Sequence, residues 1–276
     1  MQLPYVHRKR EMIQELRNLK ISNPEVQRLH ILLHGPIGGG KSSFISSIES
    51  VFKGRMAQGA LADAMGAGTS FTKKFHIKKF RDGKSGNFLP FVISDIMGLE
   101  NTNKAGAHID DITQALKGHL KDGYCFNSVG RLPEGENFYN SSPTLNDQVH
   151  CLVSVLPADR IGMMDTEEVH AVISKLREIR KKASDLKIPQ VVLMTMVDNT
   201  CPQVKEDLKN IYRSKKIKGK MQECTNKLGV PMNFVYPVKN YHEEGELHND
   251  IDILLLSALK NIVNFANDHV EEMLDA

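Results

Sequence analysis

A glycine-rich segment at residues 35–42 constrains this chain more than any other feature. The apolar run Leu29–His34 leads directly into Gly-Pro-Ile-Gly-Gly-Gly-Lys-Ser, and apolar residues at helical spacing follow it. This order predicts a buried strand, a tight loop and the start of a helix, which is the context that a phosphate-binding loop requires. Glycines let backbone N–H groups turn inward, and the positive end of the helix dipole favours bound anions. The sequence therefore predicts a nucleotide-binding site.

The side chains of this loop predict individual roles. Lys41 is expected to reach the β- and γ-phosphates, and the hydroxyl of Ser42 is expected to bind Mg²⁺. The bulk of Ile37 would lie near the γ-phosphate. The nucleotide contacts predicted within the loop are Ile37, Gly38, Gly39, Gly40, Lys41, Ser42 and Ser43.

A second motif follows the loop along the chain. Asp95-Ile96-Met97-Gly98 is a D-x-x-G pattern at the end of a predicted buried strand. Asp95 would hold Mg²⁺ through a water molecule, and the N–H of Gly98 could bind a γ-phosphate. The pattern is common by itself and gains weight here from its place after the loop. A threonine hydroxyl would complete the metal site, and Thr72 is favoured over Thr69 because it lies just before a predicted strand.

A third pattern concerns the base. The strand predicted over residues 190–195 leads to Thr195-Met196-Val197-Asp198, which resembles the [N/T]-K-x-D pattern that recognises guanine. A carboxylate suits guanine because that base offers two adjacent donors, whereas adenine presents an acceptor at N1. Asp198 is therefore predicted to select guanine. Met196 stands where the pattern has lysine, so ATP binding remains an alternative, as does an Asp198 that only caps a helix.

Two segments near the end of the chain could complete base recognition. Asn240 follows the last predicted strand, over residues 232–238. Ser257-Ala258-Leu259 resembles a base-binding loop, but apolar residues continue beyond it at helical spacing. We therefore favour Asn240 over Ser257, which is expected inside the final helix.

Six predicted strands alternate mostly with helices. This order predicts an α/β fold of the P-loop NTPase, G-domain-like class, with a mostly parallel six-stranded sheet, helices on both faces and one antiparallel edge hairpin. The candidate ligands follow the carboxyl ends of strands, where open sheets bind ligands. We expect a flanking helix within residues 1–27 and a guanine-nucleotide-binding domain over residues 28–276. The helical stretch 202–228 is expected to break near Gly219.

Composition restricts the partners and the cellular setting. A formal net charge of +3 over 276 residues is too small to imply nucleic acid as an obligatory partner. The cysteines lack metal-site or disulfide-framework spacing, which favours a reducing compartment. Cys125 and Cys151 lie in apolar surroundings and are expected in the core. With no stretch of membrane-spanning length, a cytoplasmic location is expected.

Four segments of the chain form an unusual combination: Gly35–Ser47, Asp95–Leu99, Asp110–Gly118 and Ile253–Leu259. Together they resemble the interferon-induced protein 44 and 44-like family, over most of the chain from about Arg28 onward. The resemblance implies a guanine-nucleotide-binding domain, with GTP or GDP and Mg²⁺ as ligands, in a cytoplasmic protein induced during innate antiviral responses. Members of this family often carry an additional N-terminal domain, so the chain resembles their nucleotide-binding half.

The sequence supports hydrolysis less well than binding. Leu99 follows Gly98, where many small GTPases place the glutamine that orients the attacking water, and leucine cannot do this. Weaker candidates are Arg55 and Arg81 for a cis arginine, and His108 and Glu100 for positioning water. The sequence therefore predicts slow or absent intrinsic GTP hydrolysis, stimulated by a partner or by self-association.

Three functions remain open at this point. We favour a guanine-nucleotide-dependent switch, in which γ-phosphate and Mg²⁺ order residues 54–74 and 98–108 and hydrolysis releases them. One alternative is an ATP-binding P-loop protein. The other is a nucleotide-bound scaffold that does not cycle and acts through protein contacts.

Overall fold

The computed structural model describes residues 3–57, 74–83, 86–99, 107–126, 132–133, 135–161 and 167–274. Its strands are β1 (Leu29–His34), β2 (His76–Arg81), β3 (Phe88–Asp95), β4 (Cys151–Pro157), β5 (Gln190–Thr195) and β6 (Val235–Pro237). Its α-helices are α1 (Leu3–Arg17), α2 (Lys41–Lys53), α3 (Ile109–Leu116), α4 (Glu167–Asp185), α5 (Val197–Thr200), α6 (Pro202–Glu206), α7 (Lys215–Leu228) and α8 (Asn249–Glu272). Short 3-10 helices cover Leu208–Asn210 and Met232–Phe234.

The strands form one sheet in the order β2-β3-β1-β4-β5-β6. Neighbouring strands are parallel, except that β2 and β3 are antiparallel. All six residues of the central strand β1 are buried, as expected for a parallel strand that is covered on both faces. This sheet confirms the fold class predicted from the sequence, including the antiparallel edge hairpin.

Each face of the sheet has its own apolar core. Leu32 of β1 packs on one face with residues of α3, α4 and α7. Ile31 and Leu33 pack on the other face with residues of α1, α2 and α8. The split follows from the pleat of the strand, which sends successive side chains to opposite faces. The helices therefore cover both faces, and the carboxyl edge of the sheet carries the candidate ligands.

The flanking helix predicted near the start of the chain is α1, and it packs against α8. Its residues Met12 and Leu16 are buried in the same core as α2 and α8. Lys9 Nζ forms an ion pair of 2.5 Å with Oδ2 of Asp252, whose side chain is fully buried. The helix thus contributes to the packed core, and the domain boundary at residue 28 stays a prediction.

The break expected near Gly219 is wrong, because α7 runs unbroken from Lys215 to Leu228. The helix begins one residue after Ser214, whose hydroxyl oxygen accepts a hydrogen bond of 3.3 Å from the N–H of Ile217. Nothing lies within 4 Å of a Cβ built on Gly219, so this glycine faces open space. Burial of Ile217 outweighs the helix penalty of glycine, about 1 kcal/mol relative to alanine.

The cysteines and helices bear on the expected cellular setting. All four cysteines are free, and Cys151 is buried as expected. Cys125 is exposed, so its predicted place in the core is wrong. Across the part of the chain that the structure describes, no helix is long and apolar enough to cross a membrane.

Candidate nucleotide-binding site

The glycine loop joins β1 to α2 at the carboxyl edge of the sheet. Gly35 is required by close packing, since a Cβ there would lie only 2.2 Å from the carbonyl oxygen of Val155 in β4. Gly40, directly before α2, has φ of 92°, a left-handed conformation that favours glycine. The loop backbone is therefore held against the neighbouring strand and turns sharply into the helix.

Lys41 is the first residue of α2, and its side chain turns back into the loop. The ammonium donates hydrogen bonds to the carbonyl oxygens of Gly35 and Pro36, at 3.3 and 3.1 Å. Burial lowers the pKa of Lys41, and the nearby carboxylate of Asp95 opposes this shift. The amine of Lys41 is thus held inside the loop, where phosphate oxygens would be better acceptors than neutral carbonyls.

Ser42 and Asp95, the two described residues of the predicted metal site, are in direct contact. The hydroxyl of Ser42 donates to Oδ2 of Asp95 at 2.5 Å. Asp95 is the last residue of β3, which pairs in register with β1 and so brings the carboxylate to the loop. Hydroxyl and carboxylate oxygens are ligands that Mg²⁺ accepts, so these residues fit the ion. Thr72 and Thr69 lie outside the described residues and stay predictions.

Within the described ranges, no group of three or more histidine, cysteine, aspartate or glutamate side chains could hold a metal ion. Proteins usually bind Mg²⁺ through one or two carboxylates together with substrate phosphates. Ser42 and Asp95 would hold Mg²⁺ on the protein side, and the ion would neutralise phosphate charge when bound. Metal binding would therefore depend on the nucleotide.

The D-x-x-G segment lies directly against the loop. A Cβ built on Gly98 would lie 2.5 Å from Cγ1 and 2.9 Å from the backbone nitrogen of Ile37. The N–H of Leu99 donates to the carbonyl oxygen of Gly35 at 2.9 Å. The Leu99 side chain is only 2% exposed, in the core that includes α3 and α4. The position after the glycine therefore presents an apolar side chain to the core and no group that could orient water.

Two further strand ends hold the loop from the other side. Thr195, the last residue of β5, donates a hydrogen bond of 2.7 Å from its hydroxyl to the carbonyl oxygen of Gly39. Asn240, just after β6, donates from Nδ2 to the carbonyl oxygen of Gly40 at 3.0 Å. Oδ1 of Asn240 is buried and has no hydrogen-bond partner among the described residues. The structure thus places Asn240 beside the loop, whereas Ser257 lies within α8 as expected.

Asp198 lies on the short helix α5, immediately after β5. Nζ of Lys239 lies 3.4 Å from Oδ2 of Asp198 and 2.7 Å from Oε1 of Glu244. Burial acts to lower the pKa of Lys239, but the hydrogen bond with Glu244 and the charge of Asp198 raise it overall. The sequence analysis missed this lysine, which places a cation beside Asp198 although position 196 is methionine. Met196 itself has φ of 56°, which is uncommon for a residue other than glycine.

A neutral histidine lies beneath the loop. His34 ends β1, and its Nε2 lies 2.7 Å from the hydroxyl of Ser154 in β4. Burial lowers the pKa of His34 to about 3, and the positive charges of Arg180 and Lys41 add to the shift. His34 is therefore uncharged at neutral pH, and Lys41 supplies the positive charge inside the loop.

Arg160 is a second cation at the loop, and the sequence analysis missed it. Its Nη1 donates to the carbonyl oxygen of Ile37 at 3.4 Å. The arginines that the sequence suggested have other contacts: Arg55 donates to the carbonyl oxygen of Met56, and Arg81 lies over the ring of Phe88. The sequence signal was that Arg160 closely follows a buried strand, at the end where open sheets bind ligands.

Comparison with curated proteins identifies relatives over almost the whole chain. Human interferon-induced protein 44 is 34% identical over 265 residues, which are 96% of this chain and 58% of that protein. The human 44-like protein is 33% identical over 267 residues, which are 97% of this chain and 58% of that protein. The chain is a homologue of interferon-induced protein 44 and 44-like. This confirms the resemblance seen in the sequence, although the chain spans less than two thirds of the length of these two relatives.

Other comparisons are less close. No family model matches the chain. Among solved structures, Toc33 from Arabidopsis thaliana in complex with GDP and Mg²⁺ has a TM-score of 0.49 and 12% identity, covering 96% of this chain and 93% of that chain. Elongation factor SelB from Methanococcus maripaludis, in complex with a GTP analogue, has a TM-score of 0.42 and 11% identity, covering 88% of this chain and 34% of that chain. The sheet order and strand directions, rather than these distant likenesses, establish the fold class.

Proposed function

We propose that this chain is a GTP-binding switch domain with slow or absent intrinsic GTP hydrolysis. The observation that carries the proposal is the convergence of Lys41, Ser42 and Asp95 on one glycine loop. The ammonium of Lys41 lies inside the loop, and the oxygens of Ser42 and Asp95 are 2.5 Å apart at its end. A buried cation, a hydroxyl and a carboxylate are the groups that bind the phosphates and Mg²⁺ of a nucleoside triphosphate.

Guanine is the proposed base because of Asp198 and Asn240. The carboxylate of Asp198 would accept hydrogen bonds from the two adjacent donors of guanine. Asn240 lies beside the loop, and its buried Oδ1 lacks a partner among the described residues, so it could accept a hydrogen bond from the nucleotide. The full proposed set of nucleotide contacts is residues 37–43, Gly98, Asp198 and Asn240, with Ser42, Asp95 and Thr72 at Mg²⁺.

Slow hydrolysis follows from the residue after Gly98. Leu99 is buried and fixed to the loop by its backbone N–H, so it leaves the attacking water without an orienting side chain. Residues 54–74 and 98–108 are the proposed switch segments; of these, the structure describes residues 54–57, 74, 98–99 and 107–108. A protein partner or self-association would accelerate hydrolysis by supplying the missing group.

We also propose that the protein acts in the cytoplasm, during an interferon-induced antiviral response. This proposal rests on the names of the curated relatives, which are interferon-induced proteins, and on the cysteine pattern of the sequence. Because the chain spans 58% of these two relatives, the activity of such a whole protein is part of the proposal too.

Calorimetry tests the proposal. Nucleotide-free protein is titrated with GTP, GDP and ATP in the presence of Mg²⁺, beside the Lys41→Ala variant. We expect GTP and GDP to bind more tightly than ATP, and the variant to bind none of them measurably. Wild-type protein that binds no nucleotide would overturn the proposal and leave a scaffold that acts through its surface.

One observation favours a second candidate, an ATP-binding P-loop protein. Met196 replaces the lysine of the guanine pattern. This replacement weakens the prediction that Asp198 selects guanine. Equal affinities for ATP and GTP in the same titration would favour this second candidate.

A further inference from the structure

The turn after β4 brings a guanidinium group to the glycine loop. The N–H of Ala158 donates to the carbonyl oxygen of Thr195 at 2.8 Å, and the N–H of Arg160 donates to that of Pro157 at 3.1 Å. These two bonds fix the backbone at the carboxyl edge of the sheet. From there the exposed Arg160 side chain reaches across to the loop.

The position of the guanidinium on the loop is specific. Nη1 donates to the carbonyl oxygen of Ile37, and a Cβ built on Gly38 would lie 3.5 Å from Nη1 and 3.7 Å from Nη2. Both terminal nitrogens therefore lie beside Gly38. Ile37 also packs against Gly98, whose N–H is the proposed ligand of the γ-phosphate. Arg160 is thus on the side of the loop where the terminal phosphate would lie.

The present contact holds Arg160 only weakly. A distance of 3.4 Å is long for a hydrogen bond, and the acceptor is a neutral carbonyl. An ionised phosphate oxygen would be a stronger acceptor, and the planar fork of arginine matches a phosphate group with two parallel bonds. Lys41 occupies the buried side of the loop and Arg160 the exposed side, so the two cations would contact bound phosphates from different directions.

We propose that Arg160 is a phosphate-binding residue, supplied by the chain itself, that contacts the terminal phosphate of bound GTP. This inference rests on the proposed nucleotide function and names a further residue of the same site. Arg160 makes the site discriminate the triphosphate from the diphosphate. Because negative charge on the transferred phosphate must be stabilised during hydrolysis, the same guanidinium supports whatever hydrolysis the chain performs.

The test compares two ligands on four proteins. Wild type, Arg160→Ala, Arg160→Lys and Arg177→Ala are titrated with GDP and with a GTP analogue whose β–γ bridge is an imide, at fixed Mg²⁺. Arg177 is the matched control, since it is also an exposed arginine bonded to a backbone carbonyl, that of Lys227 at 2.6 Å. That contact joins α4 to α7, away from the loop.

Arg160→Ala should bind the GTP analogue about tenfold more weakly and GDP nearly as tightly as wild type. Arg160→Lys keeps the charge and loses the planar fork, so its affinity for the GTP analogue should lie between those of wild type and Arg160→Ala. Arg177→Ala should bind both ligands as wild type does. Capture of GDP with aluminium fluoride, which mimics the phosphate in transfer, should weaken in the same order.

Two results would overturn the inference and leave the proposed function intact. Equal losses for GDP and the analogue, with a lower melting temperature without nucleotide, would make Arg160 a structural support of the Ile37 carbonyl. If wild type binds both ligands and Arg160→Ala binds them equally well, Arg160 does not contact the bound phosphate, and the rest of the proposed site is unaffected. If wild type binds neither ligand, the proposed function fails and this inference fails with it.

Discussion

The phosphate side and the base side of the candidate site are built in different ways. On the phosphate side, residues 35–42 are contiguous, and backbone packing sets their positions, as the 2.2 Å clearance at Gly35 requires. On the base side, Asp198, Lys239 and Asn240 come from two separate strand ends. A side-chain ion pair joins Lys239 to Asp198, and the Asn240 side chain contacts the carbonyl oxygen of Gly40 in the loop. In the proposed function, phosphate binding is therefore built into the backbone of the loop, whereas base selectivity depends on a few replaceable side chains.

The largest expected effect concerns the cation inside the loop. Lys41→Ala removes the ammonium that we propose binds the phosphates, so the affinities for GTP and GDP should both fall by about 100-fold or more. Calorimetry on nucleotide-free protein measures the loss. Lys53→Ala, at the far end of the same helix, is the matched control and should bind as wild type does. Wild-type affinity in Lys41→Ala would show that the phosphate side does not bind through this lysine.

A smaller effect is expected from the metal site. Ser42→Ala removes the hydroxyl that contacts Asp95, so about tenfold more Mg²⁺ should be needed for half-maximal nucleotide binding. Titration of Mg²⁺ at fixed GDP, with a chelator as the end point, measures this shift. Ser174→Ala, at an exposed position of α4, is the control and should keep the wild-type Mg²⁺ dependence. An unchanged Mg²⁺ titration in Ser42→Ala would place the ion elsewhere.

On the base side, Asp198→Asn should lower the preference for GTP over ATP by about tenfold, because paired hydrogen bonds to a base are lost. Affinity for xanthosine triphosphate should rise, since the new side-chain amide can donate a hydrogen bond where the carboxylate of Asp198 could only accept one from guanine. Competition between the three nucleotides measures both changes. Asp207→Asn, on an exposed turn after α6, is the control. If selectivity does not change in Asp198→Asn, its carboxylate only pairs with Lys239.

The smallest expected effect concerns the lysine that pairs with Asp198. Lys239→Met removes one partner of a half-buried ion pair, so GTP should bind about threefold more weakly while ATP is unaffected. The same competition experiment measures the difference. Lys209→Met, which alters the more exposed ion pair with Asp250, should leave both affinities unchanged. Equal losses for GTP and ATP would mean that Lys239 supports the fold rather than the base side.

The two sides also differ in how far the sequence predicted them. The loop and the D-x-x-G segment were predicted because each is a local pattern, and strand register then brings Asp95 beside Ser42. Lys239 and Arg160 belong to no pattern. Their positions depend on which strand ends are neighbours in the sheet, and a single sequence does not reveal the strand order.

The outline of the fold was predictable because apolar runs mark the strands, and the alternation with helices sets their direction. The error at Gly219 has a physical cause. Local propensity argues for a break at this glycine, but the Ser214 cap starts the helix locally, and burial of Ile217 adds contacts that form only on folding. The cap and tertiary packing together outweigh the glycine.

The hydrogen bond from Asn240 to the Gly40 carbonyl has a consequence for how this protein is made. It joins residues 200 positions apart, and Asn23 reaches the carbonyl of Val270 across 247 positions. Contacts of such long range form late and slow the folding of a chain. The glycine loop is therefore synthesised 200 residues before Asn240, one of its supports. The loop reaches its fully supported geometry only after this distant downstream segment has been made and has folded against it.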